Sequence, residues 1–452
     1  MSSSPKTAVT SAREVFRKGV TRDLAGRRER LSRLEEVIKD KRELILEALA
    51  RDLGKPGLEA YLSEYHFLLQ EIRLVRRKLK GWLKKKRVMS PPYFWPCRSW
   101  IQREPFGVVL VMAPWNYPFQ LALSPVVAAI AAGNTVVLKP SEMASASERV
   151  IAEIVKEAFD DGVVQVVTGG VETAEALLEE KFDFILFTGS TSVGRKVALK
   201  AAEKLTPMLM ELGGKCPCVV DENVDLSLVA RRLLIGKFFN GGQTCFAPDF
   251  VAVPESIRED FISACRTVME VIPWADEMAH MISGKHAERI LNLGSDDALF
   301  FGEDEESRDF IAPRILPSAS WDDPAMNEEV FGPLLSIVSY RDEKDLLNRL
   351  GEMENPLAIY CFSKRQKFID QVIRTLGSGS VCINDTMKQF AQLKLPLGGV
   401  GESGFGRYRG QFGVEALSYQ RSMTKRYFSK IDLGEAVPPY EKPYRWVRKF
   451  LK

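Results

Sequence analysis

The chain has 452 residues, 45% hydrophobic and 27% charged, the composition of an ordered globular protein rather than a disordered one. Lys+Arg (63) and Asp+Glu (60) nearly cancel to a net charge of +3, which does not mark a nucleic-acid-binding protein. Seven cysteines, an odd number, make no disulfide framework; the three histidines (His66, His280, His286) and the tight Cys216–Pro217–Cys218 pair lack ligand spacing, so no metal is expected.

The first residues carry no apolar leader segment. The most apolar stretch, Val108–Leu138, is interrupted by Pro114, Asn116, Pro118, Gln120, Pro125 and Asn134 and fails as a membrane span. The expected compartment is the cytoplasm, with reduced thiols.

In chain order, Ser11–Leu53 reads as helical, with Leu31, Leu34, Val37, Ile38, Ile45 and Leu49 at helical spacing and Gly54 as a C-cap. A second amphipathic helix is expected from Leu58 to Leu83. The basic run Arg73–Arg87, without an acidic residue, reads as a solvated helix face and loop. Strands and helices then alternate: strand Gly107–Ala113, helix Leu123–Ala132, strand Thr135–Lys139, helix Ser147–Phe159, strand Val163–Thr168, helix Val171–Leu178, strand Phe182–Thr188, helix Val193–Glu203. Continuously apolar strands in such alternation predict a parallel sheet covered on both faces, a doubly wound nucleotide-binding unit. A second α/β pattern starts at Gly213: helix Leu226–Phe239, strand Asp249–Val253, a helix from Ile257 to Val271, then strands Leu334–Tyr340, Leu357–Phe362 and Ser380–Ile383. Tyr93–Arg103 and Ser418–Tyr427 have strand composition outside either rhythm and are expected to pair as a protruding arm. The acidic stretch Gly302–Asp309 lacks calcium-loop spacing.

Five short stretches carry chemistry. In Asn240–Gly241–Gly242–Gln243–Thr244–Cys245, a Gly-Gly turn can bring a thiol close to a ligand; the alternative is a small buried hydrophobe. Glu211 ends an apolar strand before Gly213–Gly214, where burial raises a carboxyl pKa and suits it to general base work; the alternative is a helix cap or a pair with Lys215. Asn116, between Pro114 and Pro118 after a strand, is placed to offer its amide to an oxyanion or to serve as a turn residue. Gly189, Ser190, Thr191 and Gly194 lie between a strand and a helix, where the helix N-terminus favours phosphate, and Lys139 with Glu142 can hydrogen-bond a ribose. Glu329 and Phe331 combine a carboxylate with a ring that can pack on a flat heterocycle.

Together PWNYP, KPSE, FTGSTSVG, MELGGK, NGGQTC, EEVFGP and LPLGGVGESGFG resemble, in order and over essentially the whole chain, the aldehyde dehydrogenase superfamily. AREVF, KGVTR, CFAPDFV and CINDTM resemble its class 3 branch, which includes fatty and aromatic aldehyde dehydrogenases. The resemblance implies an aldehyde dehydrogenase-like α/β fold: a Rossmann-type cofactor-binding domain (1–85 and 105–212), an α/β catalytic domain (213–400), a small β-arm for oligomerisation (86–104 and 415–435) and a basic-aromatic tail (436–452). It implies Cys245 as nucleophile, Glu211 as general base and Asn116 as oxyanion donor. It places Gly189, Ser190, Thr191 and Gly194 near a pyrophosphate, Lys139 and Glu142 near a ribose, and Glu329 and Phe331 at the nicotinamide.

The implied reaction is NAD-dependent oxidation of a small-molecule aldehyde, NADP being the alternative cofactor, in a homodimer. An acylating dehydrogenase or acyl reductase, and a silent binding protein on this fold, are the alternatives; neither nucleic acid nor metal is a partner. The segment Tyr444–Lys452 mixes aromatic and basic residues, and its docking on protein is favoured over peripheral contact with a membrane. Two positions depart from the family's pattern: Leu397 where Phe is usual, and aliphatic Ile235 where some class 3 members carry an aromatic. Both bear on substrate preference.

Overall fold

A computed structural model describes residues 4–91, 94–295 and 297–428. The first sheet has six strands, in the order Gly404–Phe405, Met208–Glu211, Phe184–Thr188, Val108–Met112, Thr135–Lys139, Val164–Val166. The last five are mutually parallel, and Gly404–Phe405 runs antiparallel to Met208–Glu211 with Gly404 opposite Glu211. Alternation decides the two faces. Val109 and Val111 enter one core with helices Leu24–Asp40, Phe67–Trp82, Pro118–Ala132 and Ser145–Ala158. Val108, Leu110 and Met112 enter the other, with helices Pro5–Arg17, Val171–Leu178 and Thr191–Glu203. Burial on both faces is why these strands read as unbroken apolar runs.

The second sheet has seven strands, in the order Leu299–Phe300, Arg314–Leu316, Leu334–Tyr340, Phe250–Pro254, Pro217–Val220, Ala358–Phe362, Ser380–Ile383. All its pairings are parallel except the first. The third sheet is antiparallel: Lys86–Val88, Cys97–Pro105, Ser418–Arg426. The expected pairing of the two outlying segments is thus observed, with Pro105 opposite Ser418 and Cys97 opposite Arg426.

Some expectations need correction. The N-terminal helical stretch is three helices, Pro5–Arg17, Leu24–Asp40 and Arg42–Leu53: Ser4 and Asp23 each accept a backbone N–H and start the first two, and the third begins after a break at Lys41 without a side-chain cap. Gly54 does close the third, at φ 56°. The basic run is only partly helical: its helix stops at Trp82, and Lys86–Val88 is an edge strand. Exposure of all three of its residues lets charged side chains occupy it. Helix Pro118–Ala132 starts five residues earlier than its apolar pattern, at a proline whose missing N–H costs nothing at N1. The segment Tyr444–Lys452 lies outside the described residues. Among the described residues, no helix is long and apolar enough to cross a membrane, and no cluster of His, Cys, Asp or Glu could hold a metal ion.

Candidate active site

Asn116 sits in the loop after strand Val108–Met112 and is 4% exposed. Its Nδ2 donates to the Gln243 carbonyl at 3.0 Å, and its own carbonyl accepts from Asn240 Nδ2 at 2.9 Å and Lys55 Nζ at 3.3 Å. Next to it, the Tyr117 hydroxyl is 2.7 Å from Thr244 Oγ1. The following helix has no side-chain cap of its own. Its free N–H groups at Phe119 and Gln120 are taken by Glu64 Oε2 at 3.1 and 2.9 Å, a charge-assisted cap supplied from another element. Glu64 lies in the π-helical turn Tyr61–His66 and pairs through Oε1 with Lys55 Nζ at 3.0 Å; both side chains are fully buried. Burial pushes the Glu64 carboxyl up while Lys55 draws it back.

Cys245 follows three consecutive left-handed residues: Asn240 (φ 57°), Gly241 (φ 61°) and Gly242 (φ 74°). A Cβ on Gly241 would lie 2.7 Å from the Ala279 carbonyl oxygen, and one on Gly242 only 2.2 Å from that of Gly332. Both glycines are therefore required by space as well as by φ. Gln243 locks the turn, donating to the Asn240 carbonyl at 3.0 Å and the His280 carbonyl at 2.8 Å and accepting from Ile282 N–H at 3.0 Å. Cys216 Sγ donates to the Cys245 carbonyl at 3.3 Å. Cys245 keeps partial exposure in a largely buried surround. That burial, then the Glu329 and Glu211 carboxylates, push the thiol up, with Arg409 opposing them.

Glu211 closes strand Met208–Glu211 and is 4% exposed. Its Oε1 has no hydrogen-bond partner, and burial raises the carboxyl to about 8 against the pull of Arg409 and Arg407. The expected alternatives do not occur. Glu211 is in a strand, and Lys215 is engaged elsewhere, by Asp249 Oδ1 at 2.7 Å and the carbonyls of Ala325 and Glu328 at 2.6 and 3.0 Å. Glu329 packs on the glycine turn, where a Cβ at Gly213 would lie 2.0 Å from its Oε2. Its carboxyl is also raised to about 8, by burial and then Asp249. Asp249 Oδ2 accepts from Val330 N–H at 3.0 Å, and Arg289 donates to the carbonyls of Glu329 and Val330. Phe331 is held at φ 48° with its ring edge-on to Trp115, centroids 5.5 Å apart. Cys245, Glu211 and Glu329 thus share one buried electrostatic neighbourhood, joined to Asn116 through Gln243.

The remaining predicted residues stand at the carboxyl ends of the first sheet. Ser190 caps helix Thr191–Glu203, its Oγ accepting from Val193 N–H at 3.4 Å. Thr191 Oγ1 donates to the Glu402 carbonyl at 3.3 Å. Gly189 and Gly194 are packing glycines: a Cβ would meet the Phe187 ring at 2.6 Å and Leu212 Cδ2 at 2.5 Å respectively. Lys139 Nζ binds Glu142 Oε2 at 2.8 Å. An exposed helix N-terminus after Phe184–Thr188 and a polar pair after Thr135–Lys139, both at the carboxyl edge of the parallel sheet, are groups of the kind that take a dinucleotide's pyrophosphate and ribose.

Reading the motifs singly assigns no role to Lys55, Glu64, Asn240, Gln243, Asp249 or Arg289. Lys55 stands in the short link after Gly54 and Glu64 in an amphipathic stretch, nine residues apart, with no helical spacing to pair them. Asn240 and Gln243 flank the glycines, and only the left-handed turn shows that their amides replace lost backbone pairing.

The model of the aldehyde dehydrogenase family matches residues 2–423. The chain is 38% identical over 440 residues to the 4,4'-diaponeurosporen-aldehyde dehydrogenase of Staphylococcus aureus, covering 96% of each. It is 39% identical over 435 residues to aldehyde dehydrogenase family 3 member B1 of Mus musculus, covering 95% of this chain and 93% of that one. The solved substrate-bound state of Staphylococcus aureus AldH superposes with a TM-score of 0.95 at 36% identity, over 99% of both chains. On the family match, these relatives and the shared fold, the chain belongs to the aldehyde dehydrogenase family, on the side of its class 3 members.

Proposed function

We propose that the chain oxidises an aldehyde to a carboxylic acid through covalent intermediates on Cys245, using NAD, with NADP as the alternative. A bound nicotinamide dinucleotide supplies the hydride acceptor. Residues 1–85 and 105–212 hold most of it, the turn Gly189–Gly194 taking the pyrophosphate and Lys139 and Glu142 the adenosine ribose, while Glu329 and Phe331 of the catalytic domain take the nicotinamide end. Residues 213–400 carry the thiol, and 86–104 with 415–435 join two copies in a cytoplasmic homodimer.

The chain's own residues account for the rest. Cys245 reacts as the thiolate, its proton having passed to solvent; Sγ bonds to the carbonyl carbon as the C=O π pair moves onto oxygen. Asn116 uses one amide N–H on Gln243 and has the second for the oxyanion, beside the Cys245 backbone N–H. Loss of hydride from the thiohemiacetal leaves a thioester on Cys245. Glu211 then takes a proton from water, the hydroxide adds to the thioester carbon, and the acid departs as the C–S bond breaks.

The observation that carries this reading is Glu211 itself, a buried carboxylate raised to about 8 with a free Oε1 in the electrostatic neighbourhood of Cys245. It favours water as the acyl acceptor over the alternative of handing the thioester to another acceptor. Mixing the protein, NAD and an aliphatic aldehyde without coenzyme A tests it. Repeated turnover seen as NADH absorbance is expected. No turnover without coenzyme A would return the acylating alternative, and none with it the silent protein.

A further inference from the structure

Arg409 follows the late glycine-rich segment at φ 86° and is 1% exposed. Its guanidinium lies against two rings, with Cζ 4.5 Å from the Phe67 centroid and 4.2 Å from that of Phe390. Glu71 Oε1 accepts from Gly410 N–H at 3.0 Å and fixes the backbone just beyond it. Nη1 donates to the Phe390 carbonyl, whereas Nε and Nη2 have no hydrogen-bond partner. Nε–H and Nη2–H form the side-on edge of a guanidinium, the one that grips a carboxylate with two parallel hydrogen bonds. Burying that edge empty costs its desolvation, which an anionic ligand would offset.

The ring that Arg409 stacks on leads toward the reacting groups. The Phe390 ring is 5.1 Å from that of Phe246, the residue after Cys245, and 6.1 Å from that of Tyr117, the residue after Asn116. The charge of Arg409 is felt at both Cys245 and Glu211. Gln120, one helical turn beyond Asn116, is fully buried, and neither its Nε2 nor its Oε1 has a partner. Behind Gly410, a groove of about 330 Å³ between Arg73, Leu74, Arg77 and Lys394 adds positive surface.

We propose that Arg409 is an anion subsite of the substrate pocket, and that the chain takes aldehydes bearing a carboxylate, docked on Nε and Nη2. Phe67, Tyr117, Phe246 and Phe390 pack the methylenes between the two ends. This rests on Cys245 being the nucleophile.

The test compares 5-oxopentanoate with its methyl ester as substrates, following NADH in the wild type, R409K and R409M. Wild type should favour the free acid by about tenfold or more in kcat/KM, R409K should keep part of that ratio, and R409M should abolish it. Equal use of acid and ester by wild type overturns the subsite. So does a preference that survives R409M, or an equal loss for both substrates, which would make Arg409 a support for Glu211. Glutarate binding by calorimetry decides the subsite apart from turnover: about tenfold weaker binding to R409M supports it and unchanged affinity overturns it. If neither aldehyde yields NADH while glutarate still discriminates R409M, it is the dehydrogenase reading that fails.

Discussion

Asn116 Nδ2 donates to the Gln243 carbonyl at 3.0 Å, tying the loop that leaves the first sheet to the loop that carries Cys245 in the second. Replacing Asn116 with Ala removes that tie and the proposed oxyanion donor together. The first equivalent of NADH should form on the order of 10²–10³ more slowly, measured by stopped flow. A burst at wild-type rate would assign the oxyanion to other donors.

Glu211→Gln should separate the two halves of the reaction. With Glu211 reserved for water, the variant should release about one NADH per active site and stall. Intact-protein mass should then rise by the acyl group, a rise that Cys245→Ser should lack. Deacylation in the wild type should quicken as pH rises through about 8, where Glu211 becomes the carboxylate, and the variant should lose that limb. Stability moves the opposite way. Between the ordinary 4.5 and about 8 the folded protein binds the proton that the unfolded chain releases. This contribution is therefore complete below 4.5 and lost as pH climbs to about 8, a decline that Glu211→Gln should flatten in denaturant titrations.

Lys55→Met leaves the fully buried Glu64 carboxylate without its ion-pair partner. A loss of about 3–5 kcal/mol is expected in chemical denaturation. Lys55→Met/Glu64→Gln should recover part of it, because the amide buries no charge. If the single variant is as stable as wild type, the pair is not holding the Asn116 loop.

Glu142 sets the cofactor prediction. Its carboxylate, bound to Lys139 at 2.8 Å, can accept from a ribose 2′-hydroxyl but repels a 2′-phosphate. kcat/KM should favour NAD, and Glu142→Gln should narrow the ratio. A strong NADP preference in the wild type would overturn the role given to Glu142.

Strand Ser418–Arg426 forms one edge of the three-stranded arm, and most of its side chains are exposed. An edge of that length is a template for another chain. Sedimentation at micromolar concentration should find a dimer of the 50.8 kDa chain, and a clean monomer would exclude it.

Local signals located the parallel strands of the first sheet and four strands of the second, but not Pro217–Val220 or Arg314–Leu316, which are too short to stand out from the loops around them. Thr135–Lys139 and Leu334–Tyr340 lie where the sequence puts them, because strands buried on both faces read as nearly continuous apolar runs. Asn240–Gly241–Gly242 announced a tight turn before Cys245, because the left-handed region is cheap only for glycine and tolerable for asparagine. The three-dimensional packing alone decided the rest. Lys55, in the link after Gly54, and Glu64 are nine residues apart with no spacing that pairs them; their burial under the Asn116 loop follows from a π turn and a distant helix start. The empty edge of Arg409 was equally invisible, since an arginine after a glycine-rich segment reads as surface until Phe67, from near the other end of the chain, closes over it. Periodicity records which face of an element is apolar, whereas the partner of a buried charge is set by long-range packing.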